Sequence, residues 1–131
     1  MKKSLLLILA ALLLVGCGKK AEEPKEPALM NITAEEAKKI MDTTTGYVIL
    51  DVRTLEEYAE KHIPGAILVP DFEIAEQAEN AMPDKNQMIL VYCRSGRRSK
   101  EAAAQLESMG YTCIREFGGI IDWPYETEAG K

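Results

Sequence analysis

Beyond residue 31 the chain alternates helical and extended hydrophobic rhythms. Thr33-Ala34-Glu35-Glu36 is a capping box, with Thr33 placed to accept from the amide three residues on and Glu36 to reach back. Ala34, Ala37, Ile40 and Met41 then fall on one helical face, and Thr43–Gly46 ends the helix. Tyr47–Val52 (YVILDV) is a short apolar run rich in β formers and predicts a buried strand. A second capping box, Thr54-Leu55-Glu56-Glu57, opens a helix of about two turns. Ile63-Pro64-Gly65 breaks the chain, and Ala66–Val69 predicts a short strand. Phe72, Ile74, Ala75, Ala78 and Met82 predict a helix over Phe72–Ala81, with Glu73, Glu76 and Glu79 on its solvated side.

Met88–Cys93 (MILVYC) is apolar without alternation, as expected of a central parallel strand covered on both faces. Ala102, Ala103, Leu106 and Met109 place a helix over Ser99–Met109, with Gly110 as its stop. Thr112–Phe117 predicts another strand, Gly118-Gly119 a turn after it, and Ile120–Trp123 a last helical turn before Pro124. Strands separated by helices at this interval predict an α/β domain of three layers, α/β/α, around a mainly parallel sheet.

The first residues break this rhythm. Leu5–Val15 is an apolar run of 11 residues behind Met1-Lys2-Lys3, whereas a spanning helix needs about 20. It has the length of a signal-peptide core. The following Leu14-Val15-Gly16-Cys17 resembles the bacterial lipobox, in which the cysteine is acylated and becomes the new amino terminus. That resemblance implies a domain in the cell envelope, lipid-anchored through Cys17 to the outer face of a bacterial membrane. Residues 18–31 (GKKAEEPKEPALMN) are charged, contain two prolines and show no apolar face, so they read as a tether. The expected organisation is a signal peptide at 1–16, a lipidated cysteine and flexible linker at 17–30, a domain at 31–126 and a tail at 127–131.

A chain of 131 residues holds one such domain. It carries 16 basic and 21 acidic side chains; without Lys2 and Lys3 the net charge falls from −5 to −7. Nucleic acid is therefore not an expected partner, because its binding rests on neutralising phosphates with Lys and Arg. One histidine and three scattered cysteines do not have metal-ligand spacing, so no metal and no cofactor is expected. Nothing in the pattern demands more than a monomer.

The chemistry gathers behind the central strand, where open α/β sheets place their sites. Cys93 ends that strand and is followed by Arg94-Ser95-Gly96-Arg97-Arg98-Ser99. Gly96 permits a tight loop with inward-facing amides. A helix starting near Arg98–Ser99 turns its positive end to the same place. Arg94, Arg97, Arg98 and Lys100 add positive charge with no acid among them. All three favour thiolate over thiol. The expectation is a solvent-reachable nucleophilic sulfur inside a ring of N–H groups.

Three blocks together resemble the single-domain rhodaneses. They are Asp51-Val52-Arg53…Glu57-Tyr58…His62-Ile63-Pro64-Gly65-Ala66, then Cys93-Arg94-Ser95-Gly96-Arg97-Arg98-Ser99, then Gly118-Gly119…Trp123. The resemblance covers about residues 31–126, and Lys61 departs from it where the family often has glycine. It implies a rhodanese-like fold and sulfurtransferase activity through a persulfide on Cys93. The donor would be a small sulfur-containing anion such as thiosulfate, and the acceptor a thiol or a cyanide-like species. Residues 94–99 would hold the leaving oxyanion, with Arg94 or Arg97 as charge partner of a sulfonate.

The rival chemistry of cysteine phosphatases needs arginine six positions after the cysteine, and position 99 is serine. Two other readings remain open: a non-catalytic module of the same fold, and a thiol or persulfide redox sensor. Asp51 and Arg53 read as an ion pair supporting the loop, Glu57 as a cap, His62 as a partner of nearby backbone, and Trp123 as core. Cys113 falls at the opposite end of its strand from Cys93 on its own. With ~3.3 Å of rise per residue it lies beyond disulfide reach, so it is expected as a core thiol and Cys93 as free.

Overall fold

The computed structural model describes residues 26–131. Within that span the chain forms β1 (Leu29–Asn31), α1 (Ala34–Thr43), β2 (Val48–Asp51), α2 (Leu55–Glu60), β3 (Ile67–Leu68), α3 (Ile74–Ala81), β4 (Ile89–Cys93), α4 (Arg97–Ser108) and β5 (Ile114–Gly119). Short 3-10 turns sit at Asp71–Glu73 and Ile120–Asp122. All five strands are parallel, in the order β1-β5-β4-β2-β3, so β4 lies in the middle.

Both capping boxes form as the sequence predicts. Thr33 accepts from the Glu36 amide at 3.0 Å while the Glu36 carboxylate accepts from the Thr33 amide at 2.9 Å. Thr54 and Glu57 repeat the arrangement at 3.2 and 2.9 Å. Lys61 caps the carboxyl end of α2 from the surface, so the residue that departs from the family pattern meets no packing constraint.

Successive side chains of a strand alternate in face, and the sheet uses this to hold two apolar layers. Leu50, Val52, Ile89, Val91, Cys93 and Ile114 pack against α3 and α4. Ile49, Leu90, Tyr92 and Phe117 pack on the other side against α1, Ile63 and Trp123. Every residue of β4 is buried, as its unbroken hydrophobicity requires.

Four local expectations change. The end of the tether is not free: Leu29–Asn31 is an edge strand in register with Ile114–Glu116, and Arg115 donates to the Glu26 carboxylate at 2.9 Å and the Ala28 carbonyl at 3.3 Å. Phe72 leaves the apolar face of its helix, because the 3-10 turn at Asp71–Glu73 precedes α3 and swings the ring into solvent. Gly118 and Gly119 do not turn the chain but complete β5. The tail docks as well: Glu128 and His62 exchange backbone hydrogen bonds at 2.8 Å. The signal segment, Cys17 and most of the tether lie outside the described residues.

A chain starting at Ile32, which lacks β1 and both named partners of Arg115, is expected to melt at least about 5 °C below one starting at Glu26. Differential scanning calorimetry of the two truncations checks this; equal melting temperatures would mean that β1 contributes nothing.

Candidate functional site

Cys93 is the last residue of the central strand, and its position in the alternation turns the side chain toward α4. Only Arg94, Ser95 and Gly96 separate it from α4, which begins at Arg97, one to two residues earlier than the sequence suggests. That short connection requires Gly96 at φ 110°, a left-handed backbone that glycine adopts without a Cβ clash. The Gly96 amide donates to Cys93 Sγ at 3.0 Å. The amides of the first turn of α4, which lack partners within the helix, lie at the same end.

The sulfur is recessed. Cys93 is 1% exposed, so the solvent-reachable thiol expected from the sequence is not what the fold builds. The expected ring of amides is replaced by one backbone donor and one hydroxyl, that of Ser99 at 3.3 Å. The helix starts so close to the strand that Gly96 and the buried Ser99 sit directly against the sulfur.

Glu116 is the residue the sequence reading missed. It lies on β5, on the same side of the sheet as Cys93, and is fully buried. Its Oε2 accepts from Ser99 Oγ at 2.5 Å and from the Gly118 amide at 3.0 Å, and its Oε1 lies 3.4 Å from Lys100 Nζ. A hydroxyl has one proton to give, and the carboxylate receives it. Cys93, Ser99 and Glu116 are thus one hydrogen-bonded chain. Its trace in the sequence is a carboxylate in the middle of an otherwise strand-forming run, the kind of local conflict that marks functional positions.

Gly119 fixes the loop from the other side. A Cβ there would fall 1.9 Å from the Arg94 carbonyl oxygen and 2.5 Å from Ser95 Cα. The same carbonyl accepts from the Ile121 amide at 3.2 Å. The strand end, the glycine pair and the cysteine loop are packed backbone to backbone.

The four cations of the loop have different partners. Arg98 binds Glu57 through two hydrogen bonds, at 2.9 and 3.0 Å. The Arg98 hydrogen bond holds the Glu57 carboxyl down at about 2, and Glu57 in turn raises Arg98. Glu57 therefore does more than cap α2. Lys100 faces Glu116. Arg97 is exposed, 3.7 Å from Glu101. Arg94 is exposed and has no ion pair among the described residues.

Asp51 and Arg53 do form the expected ion pair, at 2.7 Å, but they do not support the cysteine loop. They lie on the face that Tyr92 shares, opposite Cys93, and brace residues 61–63. Arg53 donates to the Lys61 carbonyl at 2.7 Å. Tyr92 donates to Asp51 and accepts from the Ile63 amide at 3.1 Å. Burial, then Asp51, pushes the Tyr92 hydroxyl far above its ordinary range. His62 meets the Tyr58 carbonyl at 2.8 Å and stacks on the Tyr58 ring at 3.7 Å, as a partner of local structure. Trp123 is core, as expected.

Cys93 is free, as predicted. Cys113 is buried but is not the expected thiol: it is disulfide-bonded. The register argument excluded only Cys93 as its partner.

Comparison with known proteins places this geometry among relatives. The Rhodanese-like domain family matches residues 33–124. The thiosulfate sulfurtransferase PspE of Escherichia coli is 44% identical over 73 residues, covering 56% of this chain and 70% of that protein. A sulfurtransferase of Allochromatium vinosum is 33% identical over 93 residues, covering 70% of this chain and 85% of that one. A rhodanese from E. coli, solved with anions, superimposes with a TM-score of 0.61 at 39% identity, covering 64% of this chain and 99% of that one.

The Glu57–Arg98 pair has a pH signature. A carboxyl held at about 2 in the fold, against an ordinary 4.5, stabilises the fold above pH 4.5 and loses that contribution as pH falls toward 2. Glu57→Gln keeps a capping side chain while removing the charge. It is expected to lower the urea midpoint at pH 7 and to match the wild type near pH 2. A gap that stays constant with pH would mean that the ion pair is not its source.

Proposed function

The chain belongs to the rhodanese-like domain family, and we propose that it is a sulfurtransferase that carries sulfane sulfur on Cys93, from a donor such as thiosulfate to a thiophilic acceptor. The observation that carries this reading is the placement of Cys93 Sγ at the end of the central strand, against the Gly96 amide, Ser99 and the positive end of α4. The sulfurtransferases among the relatives support it.

The Cys93 thiol gives up its proton along Ser99 toward Glu116. The thiolate attacks the outer sulfur of thiosulfate, the S–S bond of the donor breaks, and its electron pair leaves with sulfite. Cys93 then holds a persulfide, whose terminal sulfur is taken by a nucleophilic acceptor such as cyanide, regenerating the thiolate. The Gly96 amide and the first turn of α4 stabilise the charged sulfur, a preorganised electrostatic role. Arg94, without an ion pair among the described residues, is the cation for the sulfonate, because Arg98 and Lys100 are engaged by Glu57 and Glu116. Arg97 stands further out on the surface as the second cation.

Intact mass after thiosulfate treatment tests the reading. One added sulfur is expected, removed by cyanide and absent in Cys93→Ala. In steady-state transfer Arg94→Ala is expected to raise the KM for thiosulfate about tenfold, as for one lost charge-assisted contact. An unchanged mass in the wild type would leave the binding module or the redox sensor.

The lipid anchor at Cys17, and with it the outer face of a bacterial membrane, completes this proposal from the sequence. An acylated Cys17 sulfur is a thioether and cannot form a disulfide, so the anchor and an intrachain disulfide of Cys113, for which Cys17 is the one cysteine left besides the free Cys93, exclude each other. Intact mass of the chain recovered from a bacterial membrane fraction is therefore expected to show diacylglyceryl on Cys17; its absence would remove the anchor.

A further inference from the structure

Among the described residues three large apolar side chains stand in solvent: Leu55 at 51% exposure, Phe72 at 71% and Ile121 at 60%. Each lies in a segment that leaves a strand at its carboxyl end. Leu55 opens α2 after β2, Phe72 sits in the 3-10 turn after β3, and Ile121 sits in the 3-10 turn after β5. The strand they surround is β4, which ends at Cys93.

Short contacts tie the Leu55 and Ile121 segments to the loop and the Phe72 segment to the chain just beyond β2. The Ile121 amide donates to the Arg94 carbonyl, and the Asp71 amide donates to Val52 at the end of β2. Arg98 holds Glu57, two residues beyond Leu55. The exposed apolar side chains are therefore gathered at the carboxyl edge of the parallel sheet, the edge that carries Cys93, and apolar side chains collected around a site mark an interaction surface.

We infer that this face docks a protein whose own cysteine exchanges sulfur with Cys93, and whose surface around that cysteine is apolar and acidic. The inference rests on Cys93 as the sulfur carrier and names the macromolecular partner of that same site. A small anion or cyanide has no use for three apolar side chains spread around a loop. A recessed sulfur beneath an apolar rim suits a partner that presents a protruding thiol and covers the rim as it docks. The charge is zoned: Arg94 and Arg97 stand on the loop, while Glu56, Glu73 and Asp122 lie beside the apolar residues. Acids flanking the partner's cysteine are thereby drawn over the loop and turned away from the rim, which sets the register of docking.

The test uses a fluorescent peptide with a central serine in place of cysteine, flanked by leucine and aspartate, so that binding is read apart from chemistry. Fluorescence anisotropy compares the wild type with the combined variant Leu55→Ser, Phe72→Ser, Ile121→Ser. Thiosulfate-to-cyanide transfer is measured on the same preparations. The expected result is peptide binding at least tenfold weaker in the variant, weakened in the wild type by salt or by lysine in place of aspartate, with cyanide transfer within twofold. Equal peptide binding by both proteins overturns the inference. So does binding of anionic phospholipid vesicles that needs the same three side chains, which would make the face a membrane contact. A wild type that binds the peptide but forms no persulfide leaves docking standing and removes the sulfurtransferase reading instead.

Discussion

The cysteine loop keeps its shape because β5 has no side chain where the backbone of Arg94 must lie. The Arg94 carbonyl occupies the space that a Cβ of Gly119 would take, and that contact presses the carboxyl end of β4 onto the end of β5. From it follow the three-residue connection into α4, the left-handed Gly96, and the placement of Gly96 and Ser99 against Cys93 Sγ. Packing of backbone on backbone leaves little freedom, which is what a preorganised site needs: its donors are aimed before any reactant arrives.

Around that core three buried or half-buried carboxylates divide the work. Asp51 holds Arg53 and Tyr92 on one face of the sheet and fixes residues 61–63. Glu57 caps α2 and draws Arg98 aside. Glu116 receives Ser99 and the Gly118 amide beneath the sulfur. Each carboxylate has a hydrogen-bonded partner, which offsets the cost of removing its charge from water. The result is a loop from which Arg94 projects with no acid among the described residues to neutralise it.

Much of this was legible in the sequence because it is local. Both capping boxes, the unbroken apolar run of β4 and the glycine stop after α4 are read from neighbours a few residues apart. What escaped depends on distant pairing. Leu29–Asn31 becomes a strand through its register with β5, and three residues are too few to show a strand's alternation. Phe72 fits a helical count, yet the 3-10 turn at Asp71–Glu73 sets a different phase. The burial of Cys93 and the role of Glu116 arise where three elements meet, and no window of sequence contains all three. The Asp51–Arg53 pair was read correctly as chemistry but placed on the wrong side of the sheet, because its two-residue spacing does not reveal which helix layer it meets.

The edge strand has a mechanical consequence. A pull applied at Glu26 falls first on its contact with Arg115 and then on the β1 ladder, loaded along the strand direction. In that geometry the ladder's hydrogen bonds share the force instead of parting one at a time. Because β5, the strand they grip, also carries Glu116 and Gly119, tension on the amino-terminal side is delivered to the strand beneath the reactive sulfur.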